Sequence, residues 1–491
     1  MARPDAASAA LSQRRLILET LLLGVAGAAA AQLFNLLLKG ANWLFLGLIA
    51  GYRPPGLVNE GGSPLPAIGP HGLWLIPVST TLGGLLVGWM VSHWAPEAEG
   101  HGTDVVVRAY HRAGGLVRAR VPPVKAVASA ITIGSGGAAG REGPLALICA
   151  GIAALYASLT GRSERERRLL VLIGMAAGLS AIFRSPIGTA LFAVEVLYSD
   201  VEFESDALLY TILSSIVAYA VNGLFVGWQP LFRMPADLSL PRLLDHAWFA
   251  ALGVAAGLVG LVVPAFFYAT RDVFRRLRIP PTLKPALGAL LIGLLAIAAP
   301  QVMAGGYGWM QAAIDGRMGA SAMLVLIFAQ IAAMSLTVAS GGSGGVFAPS
   351  LFIGAMLGGF LASVTHLPSA PFVVVGMAAV FAGAARVPLA TLMMVTEMTG
   401  GYDLLVPAAL AVMLSYLVQV RLSRAQRYRT LYEAQVPRRT DSPVHDTEHL
   451  EVAQRIIERR AVPSGPGAAS SVPPAAPAAP AAPAAPGPSR S

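Results

Sequence analysis

The sequence holds few charged residues and a single cysteine, and both shortages narrow the class of protein. Asp, Glu, Lys and Arg make up 12% of its 491 residues, and the mean hydropathy is +0.63. Because soluble domains carry about 25% charged residues, a soluble globular chain is excluded. The cysteine, Cys149, lies in an apolar run, and one cysteine cannot form an intrachain disulfide.

Clusters of catalytic or metal-ligating residues are also missing from the apolar runs, which argues against a membrane enzyme. The stretch GSGGAA (134–139) fits a dinucleotide-binding pattern, but no soluble βαβ unit surrounds it and a similar stretch recurs at 339–345. HDTEH (445–449) spaces two histidines four residues apart, but it lies in a polar tail where surface positions predominate. We therefore expect no enzyme, no cofactor and no metal site.

Long apolar runs are what the chain has instead. Each is long enough to cross a hydrocarbon core of about 30 Å, and some allow two passes or a pair of half-helices. We predict an all-α polytopic membrane protein, embedded in a lipid bilayer, with about ten or more helical segments. The runs occupy roughly 17–50, 73–95, 124–160, 169–198, 207–228, 247–270, 284–304, 321–365, 371–398 and 404–422.

The net charge of +9 is concentrated in short clusters between these runs. This asymmetry follows the positive-inside rule, so we expect the basic loops and both termini in the cytoplasm and the protein in the cell (inner) membrane. Aromatic residues do not alternate with the bases, which argues against nucleic-acid binding. Basic residues gather at 108–125, 162–168, 275–278 and 421–429, whereas the loops 51–70, 229–241 and 305–316 hold almost none.

An internal repeat divides the apolar part of the chain. TIGSGGAAGREGPLALICA (132–150) aligns without a gap on TVASGGSGGVFAPSLFIGA (337–355). Further along, the segment 174–196 aligns on 376–398. Two matched blocks in the same order indicate a duplicated half. We place the halves at approximately 73–228 and 247–422, inside a membrane domain that covers 17–432.

In each half a glycine cluster interrupts an apolar run, and a proline follows it, Pro144 in the first half and Pro349 in the second. Irregular backbone at membrane depth is tolerated where protein or a watery cavity satisfies its polar groups. We therefore interpret the breaks as a functional site rather than as close helix packing. Proline suits the first position of the helix that restarts, and the N–H groups of such a start bind anions.

Glu142 stands in the first break, where its carboxylate would compete with an anion for the helix start. When deprotonated it can occupy the site, and when protonated it loses that attraction. A capping glutamate is the structural alternative. The repeat sets Phe347 opposite Glu142, so one half alone carries this gate, which argues against a cation-coupled transporter with buried carboxylates in both halves.

GREGP (140–144) and GGVFAP (344–349) resemble the gating and second anion-binding segments of the CLC family of chloride channels and chloride/proton exchangers. The resemblance covers roughly 20–432 and is closest to prokaryotic-type members without CBS domains. It implies a CLC-type fold of two inverted-topology repeats with broken helices. It also implies a homodimer with one pore per subunit and chloride or a similar small anion as cargo.

The resemblance also assigns individual residues. Glu142 is the gate, and Tyr432 is the inner-gate tyrosine, with Tyr428 as the runner-up. Lys125 corresponds to a buried lysine that makes the pathway electropositive, and a snorkelling loop lysine is the alternative. The anion-binding set that the resemblance implies is Gly100, His101, Gly102, Arg141, Gly143, Gly345, Val346, Phe347, Ala348 and Tyr432.

The segment GHGTD (100–104) departs from the family, which usually has Gly-Ser-Gly-Ile-Pro there. His101 replaces the serine, and its imidazole can donate a hydrogen bond to the anion or face away, leaving the N–H groups of Gly100 and Gly102 as ligands. Asp104 replaces the proline. With Thr103, we interpret it as an N-cap of a short helix.

Val196 is a second departure. The family's exchangers usually carry an internal glutamate for protons at this position, directly after the one matched by Glu195. Because valine cannot relay a proton, we favour a voltage- or pH-gated chloride channel. A chloride/proton antiporter, or transport of a related anion such as fluoride, is the alternative. Glu195 is paired with Glu397 in the repeat, and we interpret it as a structural residue.

The two ends of the chain are polar or low in complexity. We assign 1–16 to a cytoplasmic N-terminal segment and 433–461 to a polar cytoplasmic segment with a short helix at 449–460. Residues 462–491 are rich in Pro and Ala, cannot bury a core, and are expected to be disordered.

Overall fold

The structure is a computed structural model that describes residues 6–235 and 245–445. The described residues form sixteen α-helices and one two-stranded antiparallel sheet, β1 (Tyr52–Arg53) with β2 (Ala67–Ile68). The helices are α1 (Ala6–Asn42), α2 (Ile76–Trp94), α3 (Thr103–Arg112), α4 (Val121–Gly134), α5 (Glu142–Leu159), α6 (Glu164–Phe183), α7 (Pro186–Glu195), α8 (Ser205–Val226), α9 (Asp245–Arg276), α10 (Lys284–Ala298), α11 (Tyr307–Ile314), α12 (Ala320–Val338), α13 (Phe347–Thr365), α14 (Ser369–Ala385), α15 (Pro388–Thr399) and α16 (Leu405–Leu422).

These helices fall into two halves of eight, α1–α8 and α9–α16, that pack in the same way. Helix α1 packs on α4, α6 and α8, and α9 packs on α12, α14 and α16. Helix α5 pairs with α6 in the first half, as α13 pairs with α14 in the second. The repeat in the sequence therefore corresponds to a repeat in the fold. The predicted first half begins at residue 73, and the packing adds α1 to it.

Each half leaves its fourth helix along the same backbone path. Gly136 follows α4 and Gly341 follows α12, and both have a φ of 109°, a conformation that favours glycine. The sixth helix of each half also ends alike, because Arg184 and Arg386 both have a φ of 56°. The glycine clusters are thus needed for the turn that breaks each helix.

The two breaks also provide hydrogen-bond acceptors for one another's backbone N–H groups. Thr337 Oγ1 accepts a hydrogen bond from the Ala138 N–H at 3.0 Å, and Thr132 Oγ1 accepts one from the Ser343 N–H at 3.3 Å. Thr132 and Thr337 are equivalent in the repeat. Buried N–H groups need such partners, and here they come from the opposite half.

Eight helical segments of the described residues are long and apolar enough to cross a membrane. The sequence predicts ten or more helical segments, a larger number, because it also counts the short helices of interrupted apolar runs. Helices α7 and α15 have only 10 and 12 residues. Helices α6 and α14 lie in the core and are buried throughout 170–183 and 370–385.

Packing places the described residues up to Pro443 in one compact unit. The predicted membrane domain, 17–432, falls within that unit. The helix predicted at 449–460 and the Pro/Ala-rich stretch 462–491 lie outside the described residues.

Candidate functional site

The two chain breaks meet in the buried interior. The Gly140 N–H donates to the Gly345 carbonyl at 2.8 Å, and the Gly345 N–H donates to the Gly140 carbonyl at 2.7 Å. Helix α5 begins two residues after Gly140, and α13 begins two residues after Gly345. This reciprocal bridge brings the starts of both helices to one place, as the anion-site interpretation of the breaks requires.

The prolines lie two residues inside these helices rather than at their first position. Because α5 begins at Glu142 and α13 at Phe347, Pro144 and Pro349 are third residues and the expectation of a first position is wrong. The physical argument survives the shift, since the third N–H of a helix also has no intrahelical acceptor. Proline at this position therefore costs no helical hydrogen bond.

A small cavity of about 10 Å³ lies where the two helix starts meet. It has room for about one water-sized particle. Its lining combines four aromatic side chains with the polar side chains of Thr103 and Glu142. The lining residues are Thr103, Glu142, Gly143, Leu179, Phe183, Phe192, Val346, Phe347 and Tyr432. We call this space the central cavity.

Glu142 is the first residue of α5 and is 1% exposed. Its Oε1 accepts a hydrogen bond from the Tyr307 hydroxyl. Its Oε2 has no hydrogen-bond partner of ordinary geometry among the described residues, although the Ala348 N–H faces the carboxylate. The carboxyl group therefore lies at the helix starts themselves. The alternative of a conventional N-cap does not apply, because Arg141 occupies that position.

Two larger cavities lie on either side of the central cavity. The inner cavity, about 340 Å³, is lined by 99–102, Arg108, Arg271 and Arg275 among others. The outer cavity, about 670 Å³, is lined by 53–57, 60–62, Arg141 and Tyr307 among others. Helix α2, about 28 Å long at 1.5 Å per residue, runs from the loop of the outer cavity to the loop of the inner cavity. The cavities thus open toward opposite ends of α2.

His101 is nearly buried and lines the inner cavity together with Gly100 and Gly102. Its ring lies edge-on to Tyr432, with 5.3 Å between centroids, and its Nδ1 has no hydrogen-bond partner among the described residues. The residue of this loop that lines the central cavity is Thr103, whose side chain hydrogen-bonds with that of Tyr432. The sequence did not identify Thr103 as a site residue, because the family's serine aligns with position 101 instead.

Two tyrosines compete for the inner-gate position, and they lie in different surroundings. Tyr432 lines the central cavity and is 2% exposed. Tyr428 stacks on Tyr268 at 4.3 Å, and the Arg271 guanidinium lies 5.2 Å from its ring centroid. Tyr432 is therefore the tyrosine that an ion in the central cavity would meet.

Lys125 projects from α4 and is completely buried. Its Nζ donates to the carbonyls of Ala98 at 3.0 Å and Gly100 at 2.6 Å. The alternative of a snorkelling loop lysine is excluded by this burial. Two of the three ammonium donors thus fix the loop that carries His101 and Thr103.

Arg141 lies between the outer cavity and Glu142. Its guanidinium donates to both carboxylate oxygens of Glu60, at 2.7 and 3.1 Å, and lies 4.9 Å from the Tyr307 ring centroid. The Arg141 side chain, expected among the anion ligands, is thus already paired with a carboxylate. Glu60 and Tyr307 were not identified from the sequence. The glycine pair at 305–306, just before a helix start, is the signal that could have found Tyr307.

Asp104 does not cap α3, and that interpretation is wrong. The N-cap position belongs to Gly102, which makes no side-chain cap. Asp104 Oδ1 instead accepts from the Ala434 N–H at 2.9 Å, and Arg108 lies 3.8 Å from the carboxylate. Asp104 therefore attaches the segment that carries Tyr432, with Arg108 beside its charge.

Val196 is fully buried at the end of α7 and offers no titratable group. The neighbouring Glu195 accepts from the N–H groups of Leu389 at 3.1 Å and Ala390 at 2.7 Å, at the start of α15. Glu397 does the same for the start of α7 in the other half. The geometry agrees with the structural role that we expected for Glu195.

A polytopic helical protein whose duplicated halves direct two helix starts at one buried cavity is a membrane transport protein. The family profile described as "Voltage gated chloride channel" matches residues 83–420, and the chain belongs to this family, the CLC family of anion transporters and channels. The fold prediction of two repeats with broken helices is thereby confirmed.

Named relatives include both a channel and an exchanger. The voltage-gated ClC-type chloride channel ClcB of Salmonella dublin is 30% identical over 433 residues, which cover 85% of this chain and 98% of that protein. The H(+)/Cl(-) exchange transporter ClcA of Salmonella agona is 30% identical over 377 residues, which cover 74% of this chain and 79% of that protein. The crystal structure of a slow cyanobacterial Cl-/H+ antiporter has a TM-score of 0.73 and 20% identity, and covers 90% of this chain and 99% of that one. At this identity the last comparison shows the shared fold.

Proposed function

We propose that the protein exchanges chloride for protons across the membrane and that Glu142 serves as both gate and proton carrier. The observation that carries this proposal is the buried Glu142 carboxyl group at the start of α5, inside the central cavity. A carboxylate in that position excludes an anion, and a protonated carboxyl group can yield to one. Gate opening and proton uptake are therefore the same event.

The anion ligands in this proposal are main-chain N–H groups at the two helix starts. Gly143, Val346 and Phe347 line the central cavity, and helix starts favour negative charge. The Gly345 N–H is a weaker candidate because it already donates to Gly140. Partial charges suit a transport site, where the ion has to bind and also leave.

On the inner side, Tyr432 and Thr103 present hydroxyl groups to the same cavity. We assign the inner gate to Tyr432, and we assign to Thr103 the hydroxyl contact that the resemblance gave to position 101. His101 faces the inner cavity and acts there on approaching ions, with Gly100 and Gly102. The Lys125 ammonium keeps this end of the pathway electropositive.

Coupling to protons is supported by the exchange transporter and the antiporter among the similar proteins. These comparisons favour exchange over the uncoupled channel that the sequence alone led us to prefer. A chloride channel is the second candidate, because Val196 is a buried aliphatic residue where exchangers of the family usually have a glutamate. The channel name of the Salmonella dublin relative points the same way.

We further propose a homodimer in the cell membrane, with both termini in the cytoplasm and one pathway in each subunit. The basic loop clusters at 108–125, 162–168, 275–278 and 421–429 support this orientation through the positive-inside rule. Exposed apolar side chains on α8 and α16, such as Leu209, Leu224, Val406 and Leu417, provide surface for lipid or for a second subunit. The mass of the detergent-solubilised protein tests the dimer.

The experiment is reconstitution of the full chain in liposomes with a chloride gradient, recording chloride and proton movement together. Exchange requires protons to move uphill when chloride flows down its gradient. Chloride flux without proton movement would select the channel, and no chloride flux would reject both candidates. Glu142→Ala is expected to keep chloride flux and to lose its dependence on pH. Retained proton coupling in that variant would remove Glu142 from its role.

A further inference from the structure

Tyr307 is the first residue of α11, the helix of the second half that corresponds to α3. Helix α3 packs on α5 and α6, and α11 packs on α13 and α14. The start of α3 brings Thr103 to the inner side of the central cavity. By the same symmetry, the start of α11 brings Tyr307 to the opposite side, where its hydroxyl reaches Glu142.

The backbone before Tyr307 is shaped for this approach. Gly306 has a φ of 67°, the left-handed conformation that glycine adopts without strain. A Cβ atom on Gly306 would lie 2.6 Å from the Phe352 ring, so a larger residue would displace α11. The glycine therefore lets α11 begin close enough for Tyr307 to reach the gate.

The Tyr307 ring is held by two neighbours. The Phe232 ring lies 6.0 Å away between centroids, and the Arg141 guanidinium lies 4.9 Å from the Tyr307 centroid. Glu60 fixes Arg141 through two hydrogen bonds. The loop of Glu60 is fixed in turn, because the Asn59 side chain donates to the Pro230 carbonyl at 2.8 Å. The phenol thus has little freedom to leave Glu142.

Tyr307 also lies at the boundary between two cavities. It lines the outer cavity, whereas Glu142 lines the central cavity. A Glu142 side chain that leaves the helix starts toward the outside has to break its hydrogen bond to Tyr307. The titratable and charged groups that face Glu142 are Arg141, Glu60, Tyr307 and Tyr432. Arg141 and Glu60 form an ion pair, and Tyr307 is the group that donates to the carboxylate.

We propose that Tyr307 is a positioning residue that holds the Glu142 carboxylate at the anion seat, with Arg141 and Glu60 fixing the phenol. This inference rests on the proposed function, since it assigns to the proposed gate, Glu142, the hydrogen bond that holds it in the closed position. A donor to a carboxylate favours the charged form. Removing the hydroxyl therefore releases Glu142 at a higher pH than in the unaltered protein.

Tyr307→Phe tests this inference, because it removes the hydroxyl and keeps the ring. Chloride efflux from liposomes is measured between pH 4 and 8 for the unaltered protein and the variant. One charge-assisted hydrogen bond corresponds to a shift of about 1–2 pH units, so the pH of half-maximal flux is expected to rise by that amount. Phe232→Leu, which keeps the hydroxyl but loosens the ring, is expected to shift the profile in the same direction by less.

Tyr52→Phe is the matched control. The Tyr52 hydroxyl is buried, and it has no hydrogen-bond partner among the described residues and lines none of the three cavities. Its loss is expected to leave the pH profile unchanged. The double variant Tyr307→Phe with Glu142→Ala is expected to behave like Glu142→Ala alone, since Tyr307 acts through Glu142.

The outcomes separate this inference from the proposed function. If the unaltered protein moves chloride and Glu142→Ala removes the pH dependence, but Tyr307→Phe leaves the profile in place, the role of Tyr307 is refuted and the gate stands. A shift that persists in the Glu142→Ala background also refutes it. Absence of chloride flux in the unaltered protein rejects the proposed function itself.

Discussion

Replacing Glu397 with alanine should destabilise the protein more than the equivalent replacement of Glu195. The Glu397 carboxylate accepts hydrogen bonds from the Ser185 hydroxyl at 2.6 Å, the Ile187 N–H at 3.1 Å and the Gly188 N–H at 2.9 Å. The repeat partner, Glu195, accepts from two N–H groups at the start of α15. Both carboxylates are buried.

The size of the effect follows from the number of donors left unpaired. At about 1.5 kcal/mol for each lost bond, Glu397→Ala costs about 4.5 kcal/mol and Glu195→Ala about 3 kcal/mol. Glu397→Gln keeps one side-chain carbonyl as an acceptor and is expected to cost less than Glu397→Ala. Because the same chemistry is compared within one protein, the two alanine variants differ by the one extra donor that Glu397 accepts from.

Heating in detergent measures this order. The fraction of protein that remains monodisperse on size exclusion, followed by the fluorescence of the seven tryptophans, gives a rate of irreversible unfolding at each temperature. Glu397→Ala should unfold fastest, then Glu195→Ala. Equal rates for the two alanine variants, or no change in either, would refute the assignment of these carboxylates as reciprocal helix caps. Chloride flux below the midpoint temperature serves as a control for native structure.

Two further changes test the inner end of the pathway. Lys125→Met removes a buried charge and two hydrogen bonds to the Gly100 loop, so chloride flux should fall at least tenfold, which is about 1.4 kcal/mol; unchanged flux in a folded variant would contradict its role. Partial burial acts to raise the pKa of Glu433, but the hydrogen bond and charge of Arg271 hold that pKa below its ordinary value of 4.5. A lowered pKa stabilises the folded state above the unfolded value and loses that contribution as the pH falls through the folded value. Glu433→Gln should therefore be less stable than the parent at pH 7, and thermal unfolding should show this difference shrinking as the pH falls below 4.5 and through the lowered folded pKa.

The repeat is what made the fold predictable from the sequence. Both breaks are local patterns of glycine followed by proline, and Glu142 stands inside one of them, so position along the chain was enough to find them. The boundaries of the helices that follow were less accessible. Pro144 resembles a first residue, yet α5 begins two residues earlier.

The sequence interpretation was wrong for a residue whose hydrogen-bond partner lies far away in the sequence. Asp104 follows Thr103 at a helix start and therefore resembles a cap, but its partner is the Ala434 N–H, 330 positions along the chain. The direction of a side chain is equally invisible. Position 101 aligns with the family's serine, but Thr103, two residues later, is the residue that lines the central cavity. Tyr307 lies outside both aligned repeat blocks, so repeat matching could not identify it.

Under the proposed function, the charges around the central cavity let the site favour an anion without holding it tightly. The Lys125 ammonium uses two of its donors on carbonyls, and the Arg141 guanidinium is paired with Glu60. Neither full charge is therefore free to form a tight, direct ion pair with the cargo. What remains for the anion is the set of N–H groups at two helix starts, each with a fraction of a charge. In this proposal one ionised carboxylate can occupy the anion site, and its protonation can free the site. The proposed gate, a single acidic residue, therefore requires an anion site of modest affinity.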